Sequence, residues 1–224
     1  MEFLKANPII NAEYQPSLDL EYMNYFNRAM VFAQTNYNDQ IAKVSRVSFR
    51  KITPTSFLEE YTWVISCANQ DPMEVSKYFM SLSKSLQPFY QSFWDLNSFP
   101  KEEVSKVKEY AEDRYEAIHK TSSIMNRGIK LFGWDTYRDK FLNTPAKLCA
   151  LPLLQIGGAK HLSRNVGSHN ELLEGQRLYP LVKRWGFDNS EDLCKNIQKH
   201  VPMSLKVIEL ILWYSAVTFE SNLI

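Results

Sequence analysis

The sequence predicts an all-α protein, and three observations carry that prediction. Apolar residues recur at helical spacing along most of the chain, as in Phe57, Leu58, Tyr61, Val64, Ile65 and Ala68, so each such segment has one face built for burial. Only seven glycines occur in 224 residues, too few for the turns of an all-β fold or for a Gly-rich nucleotide-binding loop. Nothing in the chain reads as a strand with period-two alternation. An aromatic content of 13% predicts a ring-rich core. The length suffices for one large domain or for two small ones sharing a core.

Taken in order, residues 1–16 contain Pro8 and Pro16 and read as an irregular arm. Ser17 then caps a helix with Asp19 and Glu21 in its first turn, where acids suit the helix dipole. Tyr22, Phe26, Ala29, Met30 and Ala33 form its buried face. From Asn36 to Thr53 the periodicity weakens, which reads as a loop or short helices. Lys43, Arg46, Arg50 and Lys51 there form a solvated surface or a basic face for an acidic partner. Ser56 and Glu59 form a capping box for the core helix that follows. Asp71-Pro72 starts another helix that ends before Pro88. Pro100 opens a long charged helix with Val104, Val107, Ala111 and Ile118 inward, which continues or restarts after Ser122 and stops at Gly133.

Residues 134–143 read as a short bridge. Towards the end, helices run from Arg177 to Trp185, closed by Gly186, and from Glu191 to His200, capped by residues 188–190. Pro202 and Ser204 open the last helix, with Val207, Ile208, Ile211, Leu212 and Ser215 inward. The domain reading is an N-terminal arm and helix (1–52) packed on a C-terminal lobe (144–224), with a helical bundle lobe (53–143) between.

The stretch of greatest chemical interest is NTPAKLCALPLLQIGGAKHLSRNVG, residues 143–167. Thr144 caps a short helix with Pro145 at its first position, where a missing N–H costs nothing. Pro152 ends that helix near Ala150, since the residue before a proline avoids the α conformation. A tight turn from Leu151 to Gly158 follows, then a second helix closed by Gly167. Gly157 and Gly158 let backbone amides approach a phosphate at the mouth of that helix. Gln155, Lys160, His161 and Arg164 complete a surface suited to a DNA backbone, with residues 160 and 164 one turn apart. Between 144 and 184, Lys147, Lys160, Arg164, Arg177, Lys183 and Arg184 face only Glu171 and Glu174, a local excess of four positive charges in a chain of net charge +1.

Other chemistries are excluded. Cys67, Cys149 and Cys194 are odd in number and widely spaced, and read as buried reduced thiols. His161 and His169 are eight residues apart with no acid or thiol at ligand spacing, so no metal is expected. The paired acids Glu59-Glu60 and Glu102-Glu103 are helix-start charges. Trp185 and Trp213 read as core. No GxSxG, Walker, GxGxxG or HExxH pattern occurs. With no leader pattern and no long uncharged apolar run, the expectation is a cytoplasmic, monomeric protein that does not engage a membrane.

In that order, LPLLQIGGAKHLSRNVG, RLYPLVKRWGF and LKVIELILWYSA resemble the end of the helix-hairpin-helix DNA glycosylase superfamily. SFLEEYTWVISCAN resembles the early core helix of its divergent members. The resemblance implies a two-lobed all-helical fold with a cleft between the lobes, a backbone phosphate on the hairpin amides, and a flipped base of duplex DNA in the cleft. It implies no cofactor.

The family's hairpin reads like LPGVGxK. Anchored on Leu151-Pro152, Leu153 and Gln155 stand for its glycines and Gly157 for its lysine. Anchored on Ile156-Gly157, Gly157 fits the second glycine, and Lys160 falls one position past the lysine that attacks the sugar in some members. The family's loop Asp falls on Gly175, or on Glu174 with a one-residue shift. Glu174, with His169 beside it as acid or base, is therefore the implied catalytic pair, and Arg177 joins the implied DNA contacts. The implied reaction is cleavage of an N-glycosidic bond or group transfer onto a base. The alternatives are a non-catalytic DNA-binding protein of the same fold and an all-helical protein–protein interaction module.

Overall fold

A computed structural model describes residues 18–68, 72–92, 95–105, 112–168, 172 and 176–220. Among these residues every regular element is helical, as the sequence predicts. The helices are α1 (Leu18–Arg46), α2 (Pro54–Ser66), α3 (Pro72–Gln91), α4 (Lys101–Ser105), α5 (Glu112–Phe132), α6 (Trp134–Phe141), α7 (Pro145–Leu148), α8 (Ile156–Val166), α9 (Tyr179–Arg184), α10 (Ser190–Gln198) and α11 (Leu205–Glu220). Single 3-10 turns lie at Phe49–Lys51, Leu96–Ser98 and Gln176–Leu178. The arm at 1–16, the Ser17 cap and the inward positions Val107 and Ala111 fall outside the described residues.

The chain divides into two compact units, Met1–Ser45 with Leu172–Ile224, and Arg46–Glu171. The hairpin at 144–167 therefore groups with the middle of the chain and not with residues 172–224, the remainder of the lobe to which the sequence assigned it. The physical reason is that α8 buries its inner face on α2, within the same unit.

In the unit of α1 and the C-terminal helices, the stripe Tyr22, Phe26, Ala29 and Ala33 is buried with Leu193, Ile197, Ile208, Ile211 and Leu212. Trp185 is buried among them, taking the edges of Tyr22 and Tyr25 at centroid distances of 6.3 and 5.2 Å. Helix α1 does not end near residue 36. It bends at Tyr37 (φ −136°, ψ 24°) and continues to Arg46, and the Tyr37 ring stacks on Tyr214 at 4.0 Å. Of the loop or short helices expected over 36–53, the structure has the helical segment after this kink, to Arg46, and the 3-10 turn Phe49–Lys51. Burial, followed by the charges of Glu209 and Glu191, pushes the Cys194 thiol well above its usual range, so this thiol is inert. Cys67 and Cys149 are only half-buried.

In the other unit α2 is central, packing on α3, α5 and α8. Phe57, Leu58, Tyr61, Val64 and Ile65 are all buried. The helix begins earlier than the capping box suggests: Pro54 occupies its first turn, and the Thr53 hydroxyl accepts the Ser56 amide at 3.1 Å. Helix α3 runs through Pro88 to Gln91. The proline is exposed and in the last turn of the helix, where its missing N–H removes one intrahelical bond, that to the Lys84 carbonyl.

Residues 134–141 form α6 and not a bridge. Gly133, at φ +74°, turns the chain, and Gly128 on α5 lets the Tyr137 ring lie where a Cβ would stand. Arg138 of α6 is buried; it pairs with Asp135 and Asp139, each at 2.8 Å, and donates to the Arg50 carbonyl at 2.9 Å. Trp134 Nε1 donates to the Ile52 carbonyl at 2.8 Å. These bonds fix α6 to the segment that leads into α2.

Candidate nucleic-acid interface

The hairpin is built from one capped turn of helix, a strained turn and an open helix mouth. In α7 the Thr144 hydroxyl accepts the Lys147 amide at 3.3 Å, with Pro145 in the first turn, as the sequence predicts. Residues 151–154 then form a β-turn closed by the Leu154 amide on the Leu151 carbonyl at 3.3 Å. Pro152 holds its second position, and Leu153 holds the third at φ +58°, where a glycine is usual. That left-handed geometry costs an L-residue roughly 1–2 kcal/mol. On the Leu151-Pro152 anchor, Leu153 is the residue standing for the first glycine of the hairpin pattern, so the backbone there has the shape that a glycine favours.

Tyr61 supports the turn from below. Its side chain is fully buried, and its hydroxyl donates to the Pro152 carbonyl at 2.8 Å. The bond links the core helix α2 to the turn across 91 residues of sequence.

Helix α8 starts at Ile156, so Gly157 and Gly158 lie inside its first turn and not ahead of it. Its first helical bond runs from the Ala159 amide to the Gln155 carbonyl at 2.8 Å. The amides of Ile156, Gly157 and Gly158 precede it and have no helical acceptor. Gln155 is the N-cap but makes no side-chain capping bond, and no acid occupies the first turn. By contrast, α2, α7 and α10 are capped by Thr53, Thr144 and Asn189. Gly157 is exposed, with nothing within 4 Å of the place a Cβ would take. Gly158 packs inward, its Cβ position 3.2 Å from Leu154 Cδ2 and 3.7 Å from Val64 Cγ1. One glycine opens the helix mouth and the other seats the helix.

The far half of α8 is interior. Leu162 to Val166 are all buried, and Gly167 closes the helix at φ +76°, with its Cβ position 3.0 Å from the Val47 carbonyl oxygen. Arg164 is 1% exposed. Its Nε donates to Asn165 Oδ1 at 3.4 Å, and Asn165 Nδ2 donates to Glu60 Oε2 at 3.1 Å. Arg164 is thus not a surface partner of Lys160, because α8 is enclosed on every side one turn beyond that lysine. His161 is only partly shielded, yet burial of its ring, followed by the Arg164 charge, pulls its pKa well below the usual histidine range. It stays neutral at pH 7 and offers a hydrogen bond without a charge.

Lys147 donates to Asn143 at 2.8 Å. In the other unit the Arg177 guanidinium lies over the half-buried Trp213 ring at 4.7 Å, Lys183 over Tyr179 at 5.0 Å, and Arg184 pairs with Glu21 at 2.8 Å. The structure brings Gln155, Gly157, Gly158 and Lys160 together at one helix mouth, with His161 beside them. Glu174, His169 and Glu171 lie outside the described residues.

Sequence reasoning missed the buried Glu60. Its signal was position: it falls three residues after Phe57 and four before Val64, on the apolar stripe of α2. Among the described residues no group of three or more His, Cys, Asp or Glu is placed to hold a metal ion, and no helix is long and apolar enough to cross a membrane.

Removing the Tyr61 hydroxyl leaves the part-buried Pro152 carbonyl without that donor. Tyr61→Phe should therefore cost about 1–2 kcal/mol in urea unfolding. Amide exchange should speed up at Leu154, whose amide closes the turn, and at Ala159, the first bonded amide of α8, with α10 and α11 unchanged. A uniform change in exchange would contradict the role given to this bond.

Searches against protein-family models, curated proteins and solved structures found no match to this chain.

Proposed function

We propose that the chain is a DNA-binding, base-processing protein that holds a backbone phosphate of duplex DNA on the first-turn amides of α8. The observation that carries this reading is the uncapped, acid-free mouth of α8, with Gly157 open to solvent and Lys160 one turn along. Three amides and the positive end of a helix dipole suit a phosphate oxygen, and the Tyr61 bond beneath the turn keeps them in place. The resemblance of the hairpin to the helix-hairpin-helix glycosylases supports the choice of DNA over other phosphates. A two-lobed arrangement with a cleft for a flipped base belongs to the same proposal.

In the catalytic step, a carboxylate stabilises positive charge developing on the sugar as the glycosidic bond breaks, or activates the group that attacks. Glu174 is the residue proposed for that role, with His169 as its neighbour for proton transfer. A second reading, DNA binding without catalysis, is favoured by Gly157 standing where the first alignment would put the lysine. The two readings share the phosphate-binding hairpin and differ in whether Glu174 and His169 perform chemistry.

Gly157→Glu separates binding from folding. A carboxylate at the second helical position suits the dipole, and replacing a helical glycine adds about 0.5–1 kcal/mol of helix propensity, so stability should hold or rise. Affinity for a short duplex should fall about tenfold or more, and the dependence of log Kd on log salt should flatten by about one phosphate contact. Unchanged affinity in a folded variant would remove the hairpin from the interface. For the chemistry, Glu174→Gln should abolish base release or base modification while leaving duplex affinity intact. An unchanged rate would leave the second reading or a different carboxylate.

A further inference from the structure

The turn ahead of α8 has two conformations open to it, and Tyr61 has a hydrogen-bond acceptor for each. Pro152 at the second position and a positive φ at the third make residues 151–154 a type II turn. A type I turn keeps the same closing bond and the same place for proline, and differs by a flip of the middle peptide, here the one joining Pro152 to Leu153. The third residue of a type I turn has a negative φ, so the flip would release Leu153 from its left-handed backbone. Its side chain is 47% exposed, so packing holds the strained form only in part. The peptide is trans, and its N–H and C=O point to opposite sides. Since the Pro152 carbonyl accepts the Tyr61 hydroxyl at 2.8 Å, the Leu153 amide faces away from Tyr61, and it has no acceptor among the described residues. A second acceptor is within reach of Tyr61: its hydroxyl oxygen lies 3.4 Å from the Ala117 carbonyl oxygen on α5. Thr121, one turn further along α5, is fully buried and its hydroxyl has no partner among the described residues, so it leaves that carbonyl to Tyr61.

From these contacts we infer that the Pro152–Leu153 peptide is a two-state switch controlling the anion site at the mouth of α8. In the observed state Tyr61 holds the Pro152 carbonyl inward and the Leu153 amide faces out. In the flipped state the Tyr61 hydroxyl donates to the Ala117 carbonyl, its oxygen faces the inward Leu153 amide, and the Pro152 carbonyl points outward. The turn packs on the mouth through Leu154, whose Cδ2 lies 3.2 Å from the Cβ position of Gly158. An outward N–H there favours a phosphate, and an outward carbonyl oxygen repels it. Phosphate therefore selects the strained turn, and its apparent affinity falls with the share of molecules in the flipped state. The inference rests on the anion site proposed above and adds to it a control built into the backbone.

The test compares the wild type with Leu153→Gly and Leu153→Val, each titrated with inorganic phosphate and, separately, with a short DNA duplex. Glycine adopts positive φ freely and stabilises the observed turn. Valine, being β-branched, disfavours positive φ and stabilises the flipped turn. The inference expects affinity for phosphate to fall in the order Gly, Leu, Val at residue 153, with about tenfold or more between the two variants. In NMR spectra, the close approach of the Pro152 Hα to the Leu153 amide proton that marks a type II turn should weaken in Leu153→Val and return at saturating phosphate. Leu153→Gly suits the observed backbone, so its comparison with the wild type keeps the test decisive if the valine variant fails to fold.

Equal affinities in the three proteins overturn the inference; if all three then bind the duplex, the anion site stands without a switch. Weaker binding by both variants also overturns it, because the leucine side chain itself would then be the contact. So does a type II contact as strong in Leu153→Val as in the wild type. The graded order with phosphate, without binding of the duplex, supports the switch and removes DNA as the partner. Binding of neither phosphate nor duplex by the wild type removes the switch and the anion site together.

Discussion

The hydroxyl of Tyr61 on the carbonyl of Pro152 is the contact on which the organisation of the middle unit turns. Tyr61 sits at the centre of α2, the helix that packs on α3, α5 and α8. Its ring fills the core, and its one polar atom reaches the strained turn ahead of α8. A turn with a leucine at positive φ would relax if nothing held it. Glu60, the preceding residue, holds Asn165 at the other end of α8. Two adjacent side chains of one helix therefore fix both ends of the hairpin helix, and its mouth stays open because neither a capping side chain nor an acid fills it.

Most of the fold was legible because its core helices carry strong apolar stripes. The buried faces of α1, α2 and α11 fall where periodicity puts them. The misreadings have local causes. Four charges in eight residues hid α6, whose helical state depends on Gly128 admitting Tyr137 and on Arg138 reaching back to Arg50. Neither contact is local in sequence. Pro88 looked like a stop, yet α3 runs through it to Gln91. Tyr37 weakened a pattern that resumes after the kink because its ring finds Tyr214.

At the hairpin, the cap, the proline stop and the closing Gly167 were readable from spacing alone. The inward turn of Arg164 was not. A one-turn interval between Lys160 and Arg164 places them on one face of an isolated helix, but tertiary enclosure of Leu162 to Val166 decides which side chains meet solvent. Of the cations between 144 and 184, Lys147 meets Asn143, Arg177 lies over Trp213, Lys183 over Tyr179, and Arg184 pairs with Glu21. The feature proposed to bind an anion is backbone, an array of amides with a dipole, which charge counting cannot detect. At the α5–α6 corner the Phe132 and Phe141 rings meet through a helix that the sequence had read as a bridge.

The central claim is that the mouth of α8 meets DNA. Amide NMR spectra of the labelled protein, titrated with a short duplex, test it most directly. The account predicts that the Ile156, Gly157 and Gly158 amides shift first and furthest downfield, as donors to a phosphate do. Shifts confined to other regions, with these three amides unmoved at saturation, would contradict it.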